Sequence, residues 1–301
     1  MNERARTREA ALVAVLLAAG LGGGALLLRS MSADRAGVPQ PIPPPPRKDV
    51  LVVAADAGVQ RSAPGGGWTP AHAGDVLAVA DSIRTGDAGT AEIELGRSSR
   101  VTVAERTEVT VRELTTAVQR VGLLRGRIGV DVQPDGTRVV RVEDGSGSIL
   151  VSASRGRMGV VARPDALAVV AEQGDAVIES GGEKVAVPAG HESAAWRGQR
   201  PVAPTPVPRE LLMRVVRAVE DRRSSVCAVV QVGVASEVLV GATPVEVPPD
   251  GRVVVRVPPR ARRRGIDLVV RSAGGQVERQ HVPCWEDEAD VSDLEVRWNG
   301  R

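Results

Sequence analysis

The stretch Gly74–Val103 opens on turns and a short apolar strand and ends in a period of two. Ala91, Ile93 and Leu95 alternate with Glu92, Glu94 and Gly96, and after Arg97-Ser98-Ser99 come Val101 and Val103 around Thr102. Strict alternation bounded by Gly, Asp and Ser predicts half-buried antiparallel strands, one face apolar and the other carrying Glu, Thr and Arg. No turn of this stretch has the look of a reactive site.

The same grammar extends over Asp49–Arg200. Apolar runs at Val50–Ala54, Ile128–Val132, Val139–Val142, Ile149–Val151, Met158–Val161 and Ala168–Ala171 are separated by turn signals such as Pro64–Gly67 and Pro134-Asp135-Gly136. Their spacing of roughly 8–12 residues is that of a β-sandwich, a barrel or a β-solenoid. Composition agrees. The chain has no Phe or Tyr and four Trp in 301 residues. Its core must therefore be built from Val, Leu, Ile and Ala, and the abundant Val suits pleated sheets. The same shortage removes the stacking platforms of single-stranded nucleic-acid binders. A formal charge of +2 removes the basic field that nucleic acid requires. Nearly all cations are Arg, with Lys only at Lys48 and Lys184, a bias expected of a GC-rich genome.

The ends of the chain predict its placement. Residues 1–9 form a short tail with Arg4, Arg6 and Arg8, and Ala10–Leu28 carries no charge. As a helix this run spans about 28 Å, enough for a bilayer core, and the positive flank predicts a cytoplasmic N-terminus. A cleaved signal peptide with Ala10–Ala19 as its apolar part is the alternative. Both readings export the remainder. Residues 29–48 hold the Pro-rich run Pro39–Pro46, expected to be an extended spacer.

Residues 201–225 begin with a second Pro-rich linker, Pro201–Pro208. In Arg209–Arg223, Leu211, Leu212, Val215, Val216 and Val219 fall at helical spacing, which predicts a short amphipathic helix. Residues 226–301 read as a second, smaller β-sandwich-like unit, marginal in size for a core without aromatic residues. The only cysteines, Cys227 and Cys284, bracket it. In an exported chain they predict a disulfide between its first and last strands, worth about 4 kcal/mol in the loop-entropy view, with two free thiols or a redox pair as the alternatives. The Arg run at Arg260–Arg264 and the acidic end from Glu286 are expected to be solvated charge patches.

Catalytic patterns are missing. His72, His191 and His281 are isolated, and no GxSxG, HExxH or GxxxxGK[ST] occurs. Gly65–Gly67 does not open a helix, so it is no phosphate cradle. The expectation is a protein that is not an enzyme and uses no cofactor or metal.

The stretch Trp68, Gly74-Asp75, Ile83-Arg84-Thr85-Gly86 and Ala91-Glu-Ile93-Glu-Leu95 resembles the FecR family of periplasmic signalling proteins. Leu123-Leu-Arg-Gly126-Arg-Ile128 is similar to the family's "L-x-x-G-x-[IV]" strand. Val169–Val177, with Gln173-Gly174, resembles its "V-x-x-G-x-V" unit, and Pro188-Ala189-Gly190 with Glu192 resembles its closing "x-A-G-E" turn. The resemblance covers residues 49–200. It implies an all-β domain, a single inner-membrane crossing, and a signal received from an outer-membrane transducer and passed to a sigma factor. Here the cytoplasmic tail before Ala10 is too short to wrap a sigma factor, so direct anti-sigma activity is not expected. Gly241-Ala-Thr-Pro244 followed by a strand resembles small PEGA-type β modules.

The sequence thus predicts a mainly β chain: a transmembrane helix, a FecR-like β domain (sandwich or solenoid), a short helix, and a small disulfide-closed β domain. It predicts an inner-membrane protein with its bulk in the periplasm, binding an inner- or outer-membrane protein partner or a cell-wall glycan. The alternative role is a structural envelope scaffold.

Overall fold

The computed structural model describes residues 50–96, 98–134, 138–208, 212–218, 226–257 and 265–284. The expected membrane helix, the spacer Pro39–Pro46, the Arg260–Arg264 run and the acidic end lie outside them. Among the described residues no helix is long and apolar enough to cross a membrane. The described chain is mainly β, as the alternation predicts.

The first module is two facing sheets. In the first sheet the neighbours are β4 (Val76–Leu77), β1 (Val50–Ala55), β6 (Ala91–Leu95), β7 (Ser99–Val103), the second half of β9 (Val118–Val132), β12 (Gly156–Arg163), β13 (Ala166–Gln173), β16 (His191–Trp196) and β17 (Thr205–Pro206). In the second sheet they are β3 (Thr69–Pro70), β2 (Gln60–Ser62), β5 (Ser82–Arg84), β8 (Glu108–Leu114), the first half of β9, β10 (Val139–Asp144), β11 (Ile149–Ala153), β14 (Ala176–Ser180) and β15 (Glu183–Val187). All pairs are antiparallel except β9 with β10.

The period-two pattern is realised directly. Val52, Ile93 and Val130 from the first sheet meet Ile83, Val121 and Val151 from the second in one core, each at most 1% exposed. That shared core makes the module a sandwich. After β9 the chain is laid down as hairpins, alternately in one sheet and the other, each pairing with an earlier one.

Strand β9 belongs to both sheets. Residues up to Arg125 pair with β8, and Gly126–Val132 pair with β12. The crossing happens at Gly126, where φ is +88° and a Cβ would lie 2.3 Å from Thr107 Oγ1. Only glycine accommodates both the backbone angle and the approach.

The second module is also two sheets. One is β18 (Met213–Ala218), β19 (Val226–Val232) and β22 (Arg252–Arg256); the other is β21 (Thr243–Val245), β20 (Ser236–Val240), β23 (Ile266–Ser272) and β24 (Val277–Val282). Val230, Val253 and Val255 pack against Val238, Leu268 and Val270. The Cys227–Cys284 disulfide, with Cα atoms 4.5 Å apart, ties β19 to the chain just after β24 and so joins the two sheets.

One expectation is corrected. The described part of Arg209–Arg223 contains a strand, β18, where a helix was predicted. Its pairing with β19 is interrupted between Val215 and Arg217, where Val216 is the extra residue of a bulge. A bulge shifts a period-two pattern by one position. The result, Leu212 followed by Val215 and Val216, imitates the i, i+3, i+4 spacing of a helix. Leu212 and Met213 are buried in the second core, while Val216 is 48% exposed.

The Pro-rich stretch 201–208 runs along the edge of the first sheet. The Val202 amide donates to Ala194 O at 2.9 Å and the Val207 amide to Gly190 O at 3.0 Å. Proline is tolerated there because an edge strand need not donate on its outer side.

Candidate functional site

Strand β13 is buried on both faces. Leu167, Val169 and Ala171 enter the sandwich core, whereas Ala166, Ala168 and Val170 face outward. The outward set joins Val161, Ala194 and Trp196 in a separate apolar cluster completed by Val234, Ala235 and Ala273 of the second module. The small side chains let backbones approach: a Cβ on Gly159 would lie 2.1 Å from Ala273 O. Both modules lie within one compact unit, Pro46–Arg301.

Two buried charged groups fasten this contact. Arg163 Nη2 donates to Val234 O at 2.7 Å and to Ser236 O at 2.5 Å. Glu192 Oε1 accepts from the Val234 amide at 2.8 Å. Burial lowers the Arg163 guanidinium to about 10, against the opposing charges of Glu192, Glu237 and Glu246. Burial raises the Glu192 carboxyl above its ordinary value, opposed by the Val234 and Ala235 amides and by Arg163. A third tie is Arg271 of the second module, 2.5 Å from Glu105, which also meets Arg127 at 3.6 Å.

Beside these ties lies a cleft of about 670 Å³. The first module contributes Arg106, Arg125, Arg163, Asp165 and Trp196 to its walls; the second contributes Glu237, Leu239, Pro244, Val245 and Glu246. Arg106 has φ +54°, unusual for a residue with a side chain, and its amide donates to Gly86 O at 2.9 Å.

The sequence motif supports this wall from behind. Thr85 Oγ1 donates to Ala104 O at 2.5 Å and accepts from the Thr107 amide at 2.9 Å. Thr85 and Gly86 thus clamp the loop Ala104–Thr107 that presents Arg106. Thr107 Oγ1 in turn accepts from the Arg127 amide at 3.0 Å, just past the Gly126 crossing. Ile83, Ala91, Ile93 and Leu95 are core residues. Arg84 stacks over Trp68 at 4.1 Å and reaches Gln60 Oε1 at 2.9 and 2.7 Å. Gly74 turns with φ +93°, and Asp75 accepts from the His72 amide at 2.9 Å and pairs with Arg61 at 3.2 Å. Trp68, Gly74 and Asp75 are therefore turn and surface supports and do not line the cleft.

Sequence reasoning singled out Glu192 only as part of a closing turn and did not find Arg106, Arg163, Trp196, Glu237 or Glu246. Their spacing along the chain carries no signal, because two modules bring them together. Among the described residues no group of three His, Cys, Asp or Glu is arranged to hold a metal ion. His281 pairs with Asp267 at 2.7 Å on an exposed surface.

Fold and site define a two-module β protein whose long sandwich is bolted to a small disulfide-closed sandwich. Residues 81–177 match the family described as FecR protein, so the first module carries a FecR domain. No curated protein matches the chain. Two crystal structures of a proposed anti-sigma factor from Parabacteroides distasonis ATCC 8503 are similar over 42% of this chain and 59% of theirs, at 14% and 12% identity and a TM-score of 0.37 each. The similarity thus spans less than two thirds of those chains.

Proposed function

We propose that this FecR-domain protein is a membrane-anchored receiver of envelope signals that acts by binding protein partners and does no catalysis. The observation that supports this reading is the use made of the family motif. Thr85, Gly86, Gly126 and Glu192 set up the wall and the joint at which the second module docks, and no motif residue forms a reactive pair. Such an arrangement builds a rigid recognition surface. The charge-free run Ala10–Leu28 is the anchor, and the bulk of the chain lies in the periplasm.

Crosslinking in intact cells, with the full-length chain tagged at its C-terminus, tests the proposal. Capture of one dominant inner- or outer-membrane protein, lost when the Thr85–Gly86 clamp is disrupted, is the expected outcome. Capture of cell-wall fragments or of many envelope proteins would favour a scaffold. Capture of cytoplasmic proteins alone would overturn the topology and the proposal together.

A further inference from the structure

We infer that the cleft between the two modules is a binding site for extended peptides that carry carboxylates beside apolar side chains. Its volume, about 670 Å³, lies within the range of sites that enclose a ligand. Trp196, Leu239, Pro244 and Val245 form its apolar part.

The charges around it are unevenly matched. Each acid in the wall already has a cation: Asp165 pairs with Arg197 at 3.5 Å, Glu237 with Arg271 at 3.9 Å, and Glu246 interacts electrostatically with Arg163. The cations are less well supplied. Arg106 has no ion pair among the described residues. Arg125 is 63% exposed in its side chain and meets only Glu108, at 3.3 Å. Guanidinium forks left in this state favour carboxylates over amines, since they bind them in a bidentate, charge-assisted manner.

Two further observations point to an extended peptide. Strand β21, which supplies Pro244 and Val245, is the edge of its sheet, and its outer side pairs with no described strand. An edge of this kind accepts the main chain of an added strand. Arg106 is also held at positive φ by its bond to Gly86, where glycine would sit without strain. A side chain kept in a sparsely populated conformation beside a cleft is a mark of a functional position. The docked modules preorganise both walls, which lowers the ordering cost of binding.

The inference rests on the reading of the chain as a binding module but not on its place in the envelope, so a peptide measurement and the in-cell capture fail separately. The test uses the full-length chain in detergent micelles and fluorescence anisotropy of a labelled pentapeptide, Leu-Asp-Val-Glu-Leu with a free carboxylate. Its neutral counterpart is Leu-Asn-Val-Gln-Leu amide. Saturable binding of the acidic peptide is expected, about tenfold tighter than the neutral one. Arg106→Gly and Arg125→Gln should each weaken it by about fivefold to tenfold, with no fall in melting temperature. Glu246→Gln should leave binding intact or tighten it. Absence of saturable binding, equal binding of the two peptides, or indifference to both Arg substitutions would overturn the inference.

Discussion

Arg163 and Glu192 grip the same turn of the second module from two strands of the first. Arg163 donates to the carbonyls of Val234 and Ser236, and Glu192 accepts from the amide of Val234. The turn's polar groups are satisfied by a cation and an anion that are themselves buried. Truncating Glu192 to Ala leaves the Val234 amide buried without a partner, which costs about 1–3 kcal/mol. Chemical denaturation of Glu192→Ala should show this loss, and the two modules should unfold in separate steps. Arg163→Ala should act on the same joint, so the double variant should lose less than the sum of the two singles.

Glu192 also gives the joint a pH dependence of defined sign. Burial raises its carboxyl above the ordinary value of 4.5 in the folded chain. A group raised on folding contributes stability that is full below its unfolded pKa and is lost as pH rises through the folded one. Glu192→Gln keeps an acceptor for the Val234 amide and removes the titration. Wild-type stability relative to this variant should therefore fall as pH climbs from below 4.5 towards neutrality, measured as the difference between their denaturation midpoints.

Gly126 and Gly159, both in close approach to a neighbour, should respond differently to alanine. At Gly126 the added Cβ meets Thr107 and the φ of +88° is unfavourable, so the β9 crossing itself is disturbed. A loss of about 2–4 kcal/mol from the first module is expected, seen in thermal unfolding. At Gly159 the clash is with Ala273 O across the joint. Gly159→Ala should leave both cores intact and expose the Trp196 cluster, detected as faster proteolysis between the modules.

Removing the Cys227–Cys284 bond by paired Ser substitution should destabilise the second module by about 4 kcal/mol, the entropy of a loop of this length. In the Glu192→Ala background, where the joint is broken, the first module, whose core contains neither cysteine, should unfold at an unchanged midpoint. A calorimetric scan resolves the two transitions.

Arg106→Gly should raise the stability of the first module by about 0.5 kcal/mol, because relief of the left-handed backbone outweighs the greater freedom of glycine in the unfolded chain. Higher stability with weaker peptide binding is the signature of a strained residue retained for recognition. Equilibrium denaturation alongside the anisotropy titration separates the two effects.

Alternation made the strands of the first module legible before any fold was known: Ala91, Ile93 and Leu95 are inward, as their spacing requires. The cysteine pair was legible for a similar reason, since two thiols bracketing a small core have few other uses. The helix read over Arg209–Arg223 failed locally. A bulge at Val216 breaks the period of two, and residues three and four apart then look like one helical face. The site was hardly legible at all. Glu192 stood out only as part of a turn, and Arg106 and Arg163 looked like any other Arg in an Arg-rich chain.

The sequence by itself determined what is local: strand faces, turn positions, the glycines demanded by positive φ, and the bond between Cys227 and Cys284. Tertiary structure alone decided which outer face of the sandwich would be covered. Ala166, Ala168 and Val170 give β13 a second apolar face, and nothing in their spacing names its cover. The turn Gly233–Ser236 covers it because small side chains on both sides let the backbones meet, and because a buried Arg and Glu satisfy that turn's polar groups. That fit depends on distances across the fold, which a pattern along the chain does not carry.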